Sequence, residues 1–410
     1  MHFERGSLTS VEFADAIRKG LGRAALAVNG PVSPEFEEII LSACQEDQRF
    51  DRQFEDERTG YLMTLVERAG LTERLRGIVV KLINESVDER LRLHRMRFIG
   101  HFARQSDARA WEILTGYASD MDFDAFSVIE DQGTSGIEWL VENVLDRLPL
   151  DEKWRAGGWF EEYPELSTKA ADAIKAAKAE FDQDLANRRG KEIARKQESF
   201  EEALENIRTQ NLHNSILRRI GPDLTDEQVH QVANLWLKER DNRRGRNYSL
   251  LFQVREFPLP IESVIALVQS GDLPIKFEEI LSKTNSPLVR ELGLNLIESD
   301  PPDLRGYLCL CSSYIEDDLP MLLVNLDGVL DGDQDDLHGL VIDLKKLAEG
   351  MPINKREPFL VWVYEHSPCS MCRGFAVEIM VNDQTLPKIY SQELPFDADS
   401  YARQLVGSGQ

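Results

Sequence analysis

The strongest constraint on this chain is a repeated pattern of short amphipathic helices, each bounded by capping residues, proline or glycine. Thr9 and Glu12 have capping-box spacing, and apolar residues then recur at helical spacing as far as Val28, just before Gly30. The same pattern returns along most of the sequence, and alternating, strand-like runs are rare. The sequence therefore predicts an all-α protein whose first helix extends to Val28.

The middle of the chain differs from its ends in composition. An aromatic, glycine-containing stretch at 157–164 marks a boundary, and a charged, alanine-rich segment follows at 167–210, where one long helix or a helical hairpin is predicted. Segment 167–246 holds 16 Lys and Arg against 14 Asp and Glu, whereas the whole chain has a net charge of −24. We predict four regions: N-terminal helical repeats at 1–156, a linker with the long charged helix or hairpin at 157–257, C-terminal repeats at 258–384, and a C-terminal tail at 385–410.

An internal repeat lies in the C-terminal part of the sequence. Residues 290–300 align without a gap on residues 373–383, and a Ser-Pro pair precedes each copy, at 286–287 and 367–368. The offset of 83 residues (373 minus 290) is about twice the roughly 40-residue period of repeats built from helix pairs. Such a pair buries its apolar face by stacking on its neighbours.

This Ser-Pro, arginine and small-residue pattern resembles the second helix of a HEAT-type repeat. Residues 362–378 resemble the C-terminal unit of a group of uncharacterised bacterial HEAT-repeat proteins, and residues 3–9 and 102–110 also resemble that group. The resemblance implies a HEAT-like α-solenoid of stacked helix pairs, with the long charged helical segment in the middle. HEAT arrays generally serve as partner-binding scaffolds, so the resemblance implies a class of function and no chemistry.

Charge and cysteine content narrow the possible environments. A net charge of −24 argues against a nucleic-acid coat protein or an anionic-membrane binder, because both present positive charge to phosphate. No apolar run reaches the roughly 18 residues of a membrane helix, and the N-terminus does not have a signal-peptide pattern. The five cysteines are an odd number in a large chain. We expect a cytoplasmic protein with reduced thiols and no membrane partner.

Two cysteines form a CxxC pair, Cys369 and Cys372, at a predicted helix start. With Ser367 as N-cap and Pro368 as the first helical residue, both thiols would project from the first turn, where the helix dipole favours thiolates. Packed structural thiols, a redox pair and a zinc site are the alternatives. Residues that could complete the zinc site are Cys309, Cys311 and His366.

Two basic patches are candidates for binding phosphate or an acidic partner. The first is one stripe of a helix predicted from 86 to 105, opposite an apolar face, and consists of Arg90, His94, Arg97, His101 and Arg104. The second, predicted on a loop, consists of Arg240, Arg243, Arg244 and Arg246. Pairing with the protein's own carboxylates is the alternative for both patches.

The remaining signals concern acidic residues and catalysis. Residues 298–336 hold eleven Asp and Glu and one basic residue, Arg305, so this segment could recruit a basic protein. No phosphate-binding glycine-rich loop, His-Glu-x-x-His motif or nucleophile elbow is found, and no cofactor is predicted. We therefore predict a non-catalytic HEAT-repeat scaffold that binds a protein partner. The alternatives are a HEAT-like nucleic-acid-binding protein using the patches at 90–104 and 240–246, and a thiol or zinc function at Cys369 and Cys372.

Overall fold

The computed structural model describes residues 8–50, 55, 57–83, 85, 88–149, 163, 165–193, 199–209, 215–271, 274–300, 304–329 and 334–407. Within these ranges the regular structure is α-helix and short 3-10 helix, without a β-strand, so the all-α prediction is confirmed. No helix of the described ranges has both the length and the apolar character needed to cross a membrane. The contacts divide the chain into two compact units, Met1–Lys196 with Lys388–Gln410, and Gln197–Pro387.

The helices are numbered here in chain order. They are α1 (Ser10–Lys19), α2 (Gly22–Ala27), α3 (Pro34–Ala43), α4 (Arg58–Ala69), α5 (Thr72–Leu82), α6 (Glu89–Arg104), α7 (Ala108–Ser119), α8 (Phe123–Glu130), α9 (Thr134–Asn143), α10 (Thr168–Ile193), α11 (Phe200–Thr209), α12 (Ile216–Ile220), α13 (Asp226–Lys238), α14 (Asn242–Ser249), α15 (Ile261–Gln269), α16 (Phe277–Leu281), α17 (Pro287–Ser299), α18 (Leu304–Leu310), α19 (Leu319–Asp327), α20 (Gln334–Gly350), α21 (Ile353–His366), α22 (Ser370–Asn382), α23 (Lys388–Glu393) and α24 (Ser400–Gly407).

Helices that follow one another in sequence pack on one another in both units. In the first unit each helix from α3 to α8 contacts the next one, and α9 contacts α10. In the second unit α17 contacts α18, α18 contacts α20, and α20, α21 and α22 contact each other in turn. The core is therefore built mainly from local contacts.

The predicted first helix is correct at its start and wrong at its end. Thr9 and Glu12 form the expected capping box, with reciprocal side-chain to backbone hydrogen bonds. The helix ends at Lys19 because Gly20 has a left-handed backbone with φ of 79°, and a second short helix starts at Gly22. Periodicity alone did not reveal this break, since the apolar spacing continues across it.

The C-terminal segment folds against this break within the first unit. The Arg23 Nε lies 3.0 Å from Glu393 Oε2, and both side chains are buried. The Ala398 backbone N–H donates a 2.9 Å hydrogen bond to the Gly20 carbonyl. A Cβ on Gly22 would lie 1.9 Å from the Glu393 carbonyl oxygen, so this close approach requires glycine. The region predicted as a tail thus contributes α23 and α24 to the first unit.

The internal repeat and the charged segment each correspond to a pair of helices. Helices α17 and α22 begin and end at positions that match under the 83-residue offset, at Pro287–Ser299 and Ser370–Asn382. The segment predicted as one helix or a hairpin contains α10 and α11, and the boundary between the two units falls between these helices, after Lys196. The predicted boundaries near 156, 257 and 384 therefore differ from the division that the contacts give.

Candidate functional site

The CxxC pair lies at the start of α22 in the second unit. The helix begins at Ser370, so Cys369 is its N-cap and Cys372 belongs to its first turn. The prediction of Ser367 as N-cap and Pro368 as first helical residue is wrong by two positions. The Ser367 hydroxyl instead accepts a 3.2 Å hydrogen bond from the Cys369 backbone N–H and so closes a turn before the helix.

A histidine that the sequence reasoning missed lies beside the two thiols. A ring nitrogen of His338, on α20, and the sulfurs of Cys369 and Cys372 all lie within 4.8 Å of one another. The two cysteines are buried and His338 is half-buried. Helix α20 contacts α22 directly, so helix packing brings these distant residues together. Two thiols and one imidazole have the composition of a ligand set for a soft divalent metal.

The other zinc ligands predicted from sequence are not members of this group. Cys309 is buried on α18. The Cys311 thiol donates to the Tyr307 carbonyl at 3.8 Å, and burial raises the pKa of this thiol to about 12. The His366 ring packs on Trp362, with ring centres 4.9 Å apart. All five cysteines of the chain are free thiols in this structure.

In the predicted basic stripe on α6, His94 belongs to the core of the first unit. Its side chain is 1% exposed, and its Nε2 lies 3.1 Å from the Cys44 carbonyl oxygen. Burial lowers the pKa of His94 to about 4, so the ring is neutral at physiological pH. Phe98 packs edge-on against the ring. This histidine is therefore not available to a phosphate.

The other members of the stripe have different surroundings. The side chain of Arg90 lies outside the described residues. Arg97 is half-buried, and Arg104 is exposed at the end of the helix. His101 Nε2 lies 3.0 Å from a carboxylate oxygen of Glu67. Among the four described side chains, His94 is buried and His101 contacts the protein's own carboxylate. The residues that share helical spacing therefore do not form one exposed basic surface.

The second basic cluster lies mostly on helix α14 rather than on the predicted loop. The Asp241 carboxylate caps this helix by accepting hydrogen bonds from the backbone N–H groups of Arg243 and Arg244, which explains why a helix forms. The Arg244 guanidinium binds both oxygens of Glu239, at 2.9 and 3.1 Å, and this hydrogen bonding raises the pKa of Arg244. The exposed members of the cluster are Arg240, Arg243 and Arg246.

A cleft of about 310 Å³ lies in the second unit, where α14, α16, α18 and α20 meet. Two of these helices carry buried carboxylates, Glu278 on α16, next to the cleft-lining Glu279, and Asp343 on α20. Burial raises the pKa of Glu278, and it raises the pKa of Asp343 to about 6. Lys346 lines the cleft, and its Nζ lies 3.2 Å from Asp343. Raised carboxyl pKa values beside a cleft are common at functional sites.

One turn of the second unit carries an exposed aliphatic side chain. The turn Ile315–Asp318 carries Ile315, which is 46% exposed, and ion pairs join it to two helices. Arg290 near the start of α17 binds Asp318, and Lys355 near the start of α21 pairs with Glu316. Leu288 and Ile353 are also exposed, and each lies two residues before Arg290 or Lys355 in the sequence.

No protein-family model, curated protein sequence or solved structure matches this chain. The HEAT-repeat assignment therefore stays a prediction that depends on the sequence resemblance described above.

Proposed function

We propose that this chain is a non-catalytic, HEAT-like helical-repeat protein that binds a partner protein at the turn Ile315–Asp318. The proposal starts from exposed Ile315 on a turn that two ion pairs join to α17 and α21, two helices whose first residues include exposed Leu288 and Ile353. Single exposed apolar residues are ordinary on protein surfaces, so the proposal requires these three side chains to act as one surface, which the triple variant below tests. We call this group the partner surface.

Charge indicates what kind of partner would fit. Glu316 and Asp317 are exposed on the turn itself, beside the aliphatic side chains. An aliphatic surface bordered by carboxylates is complementary to an amphipathic helix that carries Lys and Arg next to its apolar face. The overall charge of −24 would also speed the approach of a basic partner by electrostatic steering. The proposed partner is therefore a basic amphipathic segment of another protein.

The helix arrangement supports a repeat scaffold. Sequence-adjacent helices pack on each other along both units, and α17 and α22 match under the 83-residue offset. Repeat proteins of this kind offer extended surfaces made by neighbouring helices. The nucleic-acid alternative has less support, because His94 is buried and the Arg244 guanidinium is already bound by Glu239.

Affinity capture from the native host's lysate tests the proposal. The bait proteins are the wild-type chain, a Leu288→Ser/Ile315→Ser/Ile353→Ser variant, and a Val11→Ser/Leu26→Ser control that alters exposed aliphatic residues of the first unit. We expect a discrete protein to be recovered with wild type and control and to fall about 10-fold or more with the triple variant, since central interface residues contribute about 1–2 kcal/mol each.

The capture is repeated with nuclease and across a salt series. A protein partner survives nuclease, whereas nucleic acid that is lost as salt rises would favour the alternative function and direct mutagenesis to Arg104 and Arg246. Equal recovery with the triple variant, or no specific protein with wild type, would contradict the proposed surface.

A further inference from the structure

The group formed by His338, Cys369 and Cys372 is close to the geometry of a metal site. A tetrahedral zinc ion with Zn–S bonds of about 2.3 Å separates two sulfurs by about 3.8 Å and a sulfur from a nitrogen by about 3.6 Å. The three ligand atoms lie within 4.8 Å of one another. They would therefore need to approach by about 1 Å at most, which side-chain rotation can supply.

The backbone places both cysteines at the start of one helix. Cys369 is the N-cap of α22 and Cys372 lies in its first turn. A metal would bind both as thiolates. Two thiolates and a neutral imidazole balance the charge of a divalent zinc ion, so the filled site is neutral overall and suits burial.

The alternative use of a CxxC pair at a helix start is reversible disulfide exchange. That chemistry needs a sulfur that a second protein can reach. Cys369 is 0% and Cys372 is 5% exposed, so neither sulfur is presented to a redox partner. A disulfide also gives no role to His338, whereas a metal uses all three groups. Burial and the third ligand therefore favour metal over redox chemistry.

We infer that His338, Cys369 and Cys372 bind one zinc ion, which links α20 to α22 within the second unit. Among the described residues, three side chains form the group, and this leaves the fourth tetrahedral position to water or another ligand. This inference does not rest on the proposed partner surface, whose residues are separate from the three ligands.

Cobalt and zinc titration of the full-length, reduced, chelator-treated protein tests the site. Cobalt in a tetrahedral site with two thiolates gives a sulfur-to-metal charge-transfer band and intense visible ligand-field bands, and both should saturate at one equivalent and vanish when zinc displaces the cobalt. Zinc should also raise the thermal unfolding midpoint of the wild-type chain, because it binds the folded state.

Variants identify the ligands. His338→Gln, Cys369→Ser and Cys372→Ser should each weaken binding by about 100-fold or more, since even residues that only orient a ligand contribute 10–100-fold. The matched controls are Cys311→Ser and His366→Gln, which alter the same residue types on neighbouring segments of the second unit and should leave the cobalt spectrum unchanged. Circular dichroism establishes that each variant is folded.

Two results would overturn the inference, and both can be obtained with the wild-type chain alone. One is the lack of a thiolate-cobalt spectrum together with no thermal shift from zinc. The other is a disulfide between Cys369 and Cys372 in protein isolated without air, detected by alkylation and mass spectrometry. Loss of the spectrum in the control variants, with the His338 variant unaffected, would likewise contradict this ligand set.

Discussion

The two units bury charged groups in different ways. In the first unit the Glu55 carboxylate and the Arg58 guanidinium are both nearly inaccessible and lie 3.0 Å apart, so each buried charge has a buried partner. In the second unit Asp343 is buried but pairs with Lys346, whose side chain is 53% exposed. Because an exposed lysine compensates little of the cost of desolvation, burial dominates and raises the pKa of Asp343 to about 6.

A second carboxylate in each unit shows the same contrast. Burial acts to raise the pKa of Asp47 in the first unit, but hydrogen bonds and charge from Arg49 lower it below its ordinary value. Burial raises the pKa of Glu278 in the second unit despite nearby Lys276. At these positions the first unit compensates a buried carboxylate with a buried arginine, whereas the cations near Asp343 and Glu278 compensate their burial less well. Raised carboxyl pKa values are common at functional sites, so the cleft lined by Lys346 is a candidate site.

Each unit also has a histidine that lies near cysteine residues, and the two histidines lie near different cysteine atoms. His94 in the first unit contacts the backbone carbonyl of Cys44, which acts as a hydrogen-bond acceptor in a core. His338 in the second unit lies near the side-chain sulfurs of Cys369 and Cys372. The same pair of residue types therefore serves packing in one unit and forms a candidate ligand set in the other, depending on which cysteine atom lies near the ring.

We expect the largest change in stability from breaking the buried ion pair of the first unit. Glu55→Ala leaves the Arg58 guanidinium buried without its carboxylate partner and should lower the free energy of unfolding by about 3–5 kcal/mol. Hydrogen exchange of helices α3 to α9 measures this change. The control, Glu73→Ala, removes a 79% exposed partner of Arg76 and should cost less than about 1 kcal/mol. Equal effects of the two substitutions would show that the buried pair contributes no more than an exposed pair of the same unit.

The second prediction is that protonation of His94 makes the stability of the first unit depend on pH. Its pKa is about 4 in the folded chain and 6.5 in the unfolded chain, so only the unfolded chain takes up the proton between these values. The first unit should therefore lose about 3 kcal/mol of stability as pH falls from 6.5 to 4, at 1.36 kcal/mol per pKa unit. Hydrogen exchange of α6, corrected for intrinsic rates, follows the loss. His94→Gln keeps a donor for the Cys44 carbonyl and should remove this part of the pH dependence; an unchanged slope would contradict the assignment.

The sequence predicts helices well and tertiary sites poorly, for identifiable reasons. Capping at Thr9 depends on local chemistry, which spacing reveals. The break at Gly20 is also local, a left-handed glycine, but the apolar spacing that continues across it hides it. The close approach of the Glu393 carbonyl to Gly22 involves the other end of the chain, which spacing does not show. Cys369 and Cys372 form a motif in sequence, but His338 joins them only through packing of α20 on α22. The predicted basic stripe failed to form one surface because helical spacing does not show which face another helix covers.

The third prediction has the opposite pH dependence and lies in the second unit. Asp343 has a pKa of about 6 in the folded chain and 3.8 in the unfolded chain, so its ionisation costs stability as pH rises from 3.8 to 6. Asp343→Asn removes the ionisation and should therefore raise the free energy of unfolding at pH 7 by about 2–3 kcal/mol, with little change at pH 4. Hydrogen exchange of α20 at both pH values measures the difference.

A matched substitution on the same helix separates this effect from a general change in charge. Glu349→Gln also removes a negative charge from α20, but its carboxylate is 52% exposed and pairs with Lys345, so its effect should stay within about 0.5 kcal/mol at either pH. If Asp343→Asn instead destabilised the second unit at pH 7, the pair with Lys346 would outweigh the cost of burial. The second unit would then satisfy its buried charges as the first unit does, and raised carboxyl pKa values would no longer indicate that its cleft is functional.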